Sequence, residues 1–185
     1  MNYTHHIMTE DLKNNTNYAR LRELYAMLEG VPEKAIELDT WANTKVAFGD
    51  REFLSGDKTP EQCGAIACAV GWAGMYPPFK ELGFVLSGLS PVLMTKAGQQ
   101  LEKAGGWVAV CYFFGISTRE SRGLLLKRPD IDELHAIGMK RVEDVGTDKQ
   151  RALRRIARFL CYKGVITKQR EDELAVLRAQ SRVTM

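Results

Sequence analysis

The tract Cys63-Gly64-Ala65-Ile66-Ala67-Cys68-Ala69-Val70-Gly71-Trp72-Ala73-Gly74 is what most limits how this chain folds. Small side chains occupy nearly every side of it, although each interior glycine costs a helix about 1 kcal/mol relative to alanine. Burial has to offset that cost, because a segment without a bulky coat lets its neighbours approach the backbone. Thr59-Pro60-Glu61-Gln62 has the residues of a helix start, with a capping hydroxyl, proline at the first helical position and glutamine three residues past the cap. Pro77-Pro78 marks a stop. The pattern predicts a central helix from about residue 60 to the prolines, with Gly71 and Ala67 at a close helix crossing.

Other helices announce themselves by spacing and caps. Tyr18, Leu21, Tyr25 and Leu28 lie on one stripe, giving a helix over about residues 16–29 that ends at Gly30 and Pro32. Ser117-Thr118-Arg119-Glu120 is a capping box that opens a helix ending at Pro129, and Asp130 or Asp132 starts a short helix closed by Gly138. Thr147-Asp148-Lys149-Gln150 repeats the pattern, with Leu153, Ile156, Ala157 and Leu160 as its apolar face and Gly164 as its end. Thr167 restarts the chain into a second helix, so residues 147–182 read as a helical hairpin. Glycine and serine between Phe79 and Pro91 suggest short extended pieces, and Thr95 is expected to cap a further helix before Trp107. The fold class expected is mainly α: a small-residue central helix surrounded by helices, minor short strands and the C-terminal hairpin. Two units are expected, a helical core over 16–140 and a basic hairpin over 147–182 packed on it.

Hydrophobic residues at 45% and charged residues at 26% are enough to build a packed core in a chain of 185 residues. The first fifteen residues lack the basic start and apolar run of a secretory signal, and no apolar run nears the ~20 residues of a membrane span. The expected location is therefore the cytoplasm, with no membrane contact. There Cys63, Cys68, Cys111 and Cys161 should be reduced, buried thiols. Cys63 and Cys68, five apart, diverge around a helix and have no second pair of ligands, so no metal site is expected.

Catalysis has little to draw on. His5 and His6 lie in the polar leader, His135 stands in a short helix without a nucleophile motif, and no phosphate-binding glycine loop is present. No enzyme activity and no cofactor are expected. Charge is more informative: residues 147–182 carry +6 while the rest of the chain carries −3. Arg151, Arg155 and Arg158 share one helical stripe, joined by Arg154 at its edge, and Lys168 and Arg170 follow on the next helix. Arginine grips phosphate or carboxylate through paired donors, so these six residues form the candidate binding surface, expected to point outward. A solvated helix face is the competing reading. Glu171, Asp172 and Glu173 oppose a phosphate backbone and argue against a DNA-reading helix-turn-helix. Should the stripe be only solvated, the site is sought around Trp41, Trp72 and Trp107.

The run from Cys63 to Ala73, with Leu38-Asp39-Thr40-Trp41 before it and Pro78-Phe79 and Phe113-Phe114-Gly115-Ile116 after it, resembles a family of small tailed-phage and prophage proteins. The family motif is Cys-Gly-Thr-x-x-Cys-x-x-Gly-His/Trp-Ala, and the similarity covers about residues 20–126. Here Ala65 stands where threonine is common and Trp72 where histidine is common, which removes polar groups a hydrolytic or metal site would need. The resemblance implies a phage origin and expression in the host bacterial cytoplasm. The leading expectation is a non-catalytic phage accessory protein that binds and modulates a host or defence-system macromolecule. Two alternatives stand beside it. One is a protein that sequesters a small nucleotide-like signalling ligand in a pocket near the Gly-rich helix; the other is a nucleic-acid binder using the basic hairpin.

Overall fold

The computed structural model describes residues 17–39, 41, 66–95 and 97–167. Helix α1 (Tyr18–Gly30) is capped by the Asn17 side chain, which accepts the Arg20 amide, and it buries Leu21, Leu24, Tyr25 and Leu28. Gly30 remains helical and is not a left-handed cap; Val31, in extended backbone, ends the helix before Pro32. A 3₁₀ turn over Glu33–Ala35 leads into a short parallel bridge between Ile36 and Ala67.

The small-residue tract forms a shorter helix than its composition predicts. Ile66 and Ala67 are non-helical, and α2 spans Ala69–Met75 with Cys68 as its N-cap. The expected start at Thr59-Pro60 lies outside the described residues. All seven α2 residues are buried, so its centrality stands while its length is corrected. The close approach is not a helix crossing: a Cβ on Gly71 would lie 1.5 Å from the Trp41 carbonyl oxygen, and one on Gly74 would lie 2.8 Å from Leu86 Cγ. α2 therefore takes a loop carbonyl on one side and a strand on the other.

After α3 (Pro77–Glu81) the chain enters an antiparallel three-stranded sheet: β1 (Phe84–Ser87), β2 (Ser90–Met94) and β3 (Gln100–Gly105), in that order. β1 and β2 pair Phe84 with Leu93 and Ser87 with Ser90, joined by a two-residue turn in which Gly88 has φ +59°. The pairing of β2 with β3 is irregular between Val92 and Met94. Thr95 caps no helix; its carbonyl and hydroxyl accept the Gly98 and Gln99 amides, forming the turn between β2 and β3. The mainly α expectation is thereby corrected to a mixed α/β fold. The physical reason is that Pro91 and the surrounding glycines and serines break sequence alternation without preventing backbone pairing.

The remaining helices are α4 (Trp107–Phe114), α5 (Thr118–Leu125), α6 (Ile131–Ala136) and α7 (Asp148–Tyr162), with a 3₁₀ turn at Arg141–Glu143 before the last. Complete capping boxes start α5 at Ser117/Glu120 and α7 at Thr147/Gln150 as the sequence predicts, and at α6 the cap is Asp130 rather than Asp132, in a third box with Glu133. Phe79, Phe84, Phe113 and Phe114 form one aromatic cluster beside α2, its ring centroids 4.5 to 6.0 Å apart. Leu153, Ile156 and Leu160 of α7 belong to the same core as α1 and α2, so the first helix of the expected hairpin is part of the main body. Its second helix lies outside the described residues. No helix among the described residues is long and apolar enough to cross a membrane.

Replacing Gly71 with leucine should cost about 1–3 kcal/mol or more, because the neighbour is rigid backbone. Gly30→Ala, at a helical position with nothing within 4 Å of the new methyl, should gain about 0.4–1 kcal/mol. Urea unfolding of the two variants checks both signs.

Candidate functional site

A cleft of about 540 Å³ opens where α2, α4 and the segment after α5 converge. Leu38, Asp39, Trp41, Cys68, Trp107, Leu125, Leu126, Lys127 and Arg128 line it. Each wall follows from a local constraint. The sheet delivers Trp107: the Gly106 amide donates to the Pro91 carbonyl at 2.8 Å, and Gly106 sits at φ +59°, ψ −136°, a conformation essentially restricted to glycine. α2 fixes Trp41, whose carbonyl fills the space above Gly71 and accepts the Cys68 thiol at 3.8 Å. The two indoles then meet with centroids 4.8 Å apart, tilted by 53°. That spacing leaves no room for a third ring between them, so they form one aromatic wall. Trp72 is not part of it; its indole N–H donates to the Ala35 carbonyl at 2.9 Å in the core.

The opposite rim is charged. Lys127 Nζ lies 2.6 Å from Asp39 Oδ2, with 37% and 51% of the two side chains exposed. This hydrogen bond holds the Asp39 carboxyl below its ordinary range, assisted by the field of Arg128, and raises the Lys127 ammonium. Arg128 is exposed. At the base, burial pushes the Cys68 thiol up from its ordinary 9.0 to about 11. It is a neutral, weak donor at physiological pH and a poor nucleophile.

Two of the arginines expected to form an outward surface, Arg151 and Arg155, instead bear on this rim from within the fold. Arg155 is fully buried, which corrects its expected outward orientation. Its Nε and Nη2 donate to the two Asp144 carboxylate oxygens at 2.8 and 2.6 Å, and its Nη1 donates to the Leu126 carbonyl. Arg151 pairs with Asp148 of its own first turn. Arg154 donates to the Glu143 and Val145 carbonyls, and Arg158 to the Gly138 carbonyl at 2.7 Å. Asp148 also accepts the Leu38 amide at 2.9 Å. α7 thus pins both charged edges of the cleft, through Leu38 beside Asp39 and Leu126 beside Lys127. Lys168 and Arg170 lie outside the described residues.

His135 is exposed on α6 and does not line the cleft. Cys68 is a buried thiol, Cys111 and Cys161 are half-buried, which corrects their expected burial, and Cys63 lies outside the described residues. Among the described residues no group of three His, Cys, Asp or Glu side chains is placed to hold a metal. Two indoles and adjacent cations around one hollow suit a planar ring carrying an anionic group. Sequence reading named Trp41 and Trp107 only as a fallback and missed Asp39, Lys127 and Arg128; a Lys-Arg pair after a helix end has no local signature of a site. In comparisons with known proteins, no family model, curated protein or solved structure matches this chain.

Arg155→Glu should lower stability by about 3–5 kcal/mol, since it places a second carboxylate against Asp144 in the interior. Arg128→Glu, on the exposed rim, should stay within about 0.5 kcal/mol of the parent. Denaturant titration of both variants distinguishes the buried role from the exposed one. The thiol gives a pH test. Because the Cys68 pKa is raised in the folded state, its contribution to stability is present below pH 9.0 and is lost as pH rises toward about 11. The parent should lose stability over that window that Cys68→Ala does not lose, as read by urea unfolding at stepped pH.

Proposed function

We propose that this protein is a non-catalytic binder that sequesters a small nucleotide-like ligand in the Trp41–Trp107 cleft. The observation that carries this reading is the pairing of a continuous indole wall with the Lys127–Arg128 rim around one hollow. Bases stack on aromatic side chains whatever their identity, because every base has a π face, while phosphate is drawn to lysine and arginine. The cleft volume falls within the roughly 300–1,000 Å³ typical of small-molecule sites. The buried, neutral Cys68 thiol favours binding over nucleophilic chemistry. The internal engagement of Arg151, Arg154, Arg155 and Arg158 turns the preference away from a macromolecular surface on α7. Together with the phage resemblance, sequestration would serve to lower the concentration of a signalling nucleotide in the host cytoplasm.

Native mass spectrometry of the protein purified from bacterial cells should show a retained species that denaturation releases as a nucleotide. Trp107→Ala should lose it, weakening binding by about 1–3 kcal/mol per stacked base. A ligand-free parent whose tryptophan fluorescence is unmoved by millimolar mononucleotides would remove the reading.

A further inference from the structure

We propose that Asp39 competes with the ligand's phosphate for Lys127 and thereby discriminates among anionic ligands. The proposal rests on the reading of the cleft as a nucleotide site and adds a mechanism by which the ligand is selected. The Lys127 ammonium donates to the Asp39 carboxylate at 2.6 Å. Both groups are substantially exposed, and exposed ion pairs are screened by water and salt and exchange readily. Their backbones, by contrast, are held: the Leu38 amide donates to Asp148, and the Leu126 carbonyl accepts from buried Arg155. The charged heads can therefore re-pair while the walls stay in place.

An incoming anion must take Lys127 from Asp39 and then tolerate the displaced carboxylate as a like charge nearby. A neutral nucleoside makes no such exchange. A single weak carboxylate gains nothing over Asp39, since it offers Lys127 the same group. A phosphate monoester brings close to two charges and three acceptor oxygens. It can engage Lys127 and the adjacent Arg128 together, whereas the Asp39 carboxylate is hydrogen-bonded to Lys127. Asp39 thus sets a threshold that a terminal phosphate passes.

The test uses adenosine monophosphate and adenosine as probes, because ring stacking discriminates little among bases. Fluorescence or calorimetric titration of the full chain is compared for the parent, Asp39→Asn, Lys127→Ala and the double variant, each checked for an unchanged melting transition. Asp39→Asn should tighten adenosine monophosphate by about threefold to tenfold and leave adenosine unchanged. Lys127→Ala should weaken the monophosphate and leave adenosine unchanged, and most of the gain from Asp39→Asn should vanish in that background, as coupled residues require. If the parent binds the monophosphate but Asp39→Asn does not alter it, the competition is refuted while the nucleotide site stands. Equal tightening of adenosine would likewise refute it, assigning Asp39 an effect on cleft shape. If neither the parent nor Asp39→Asn binds either probe, the nucleotide reading itself fails.

Discussion

A guanidinium without water must have its charge answered, and Arg155 meets that demand with groups from two other parts of the chain. Asp144 gives both carboxylate oxygens and Leu126 gives its carbonyl. Removing one member of such a buried pair is far more damaging than never having built it. The connection before α7 and the connection after α5 are therefore held at a fixed position on the helix. The neighbours of Arg155 extend the pattern: Arg154 and Arg158 hold carbonyls between Gly138 and Val145, and Lys149 donates to the Glu29 and Val31 carbonyls at the end of α1. The basic face of α7 is an internal frame on which loops are hung.

The cleft depends on a second constraint, the thinness of α2. Gly71 leaves just enough space for a peptide carbonyl, and Trp41 fills it. The Cys68 sulfur both accepts the Gly71 amide at 3.5 Å and donates to that same carbonyl. One small-residue turn therefore caps its own helix and sets the indole that forms half of the aromatic wall.

Elements governed by neighbours in sequence were legible. The capping boxes at Ser117 and Thr147 and the apolar stripe of α1 were readable because their partners lie within a turn. Elements governed by distant partners were not. β2 and β3 are held by pairing that a proline and an irregular register disguise, and the non-helical backbone at Ile66 and Ala67 follows from the bridge to Ile36. Periodicity rightly grouped the arginines on a stripe of α7, but it carries no information about whether a loop covers that stripe. Trp41 and Trp107 come together across the fold, and Lys127 meets Asp39 in the same way, so the site was visible in the sequence only as scattered residues.

The segment from Val31 to Asp39 is tied along its whole length. The Val31 carbonyl accepts from Lys149, the Ala35 carbonyl from the Trp72 indole and the Ala67 amide, the Glu37 amide donates to Ala67, and the Leu38 amide to Asp148. Such a segment has no slack in which to hide an extra residue. An insertion there would have to break one of these ties or slide Asp39 past Lys127 by a residue's length, whereas the exposed Gly88-Leu89 turn has no comparable anchor to lose. The spacing between the end of α1 and the aspartate thus behaves as a ruler, and length variation among sequences sharing this cleft should collect in the hairpin turn and stay out of this strap.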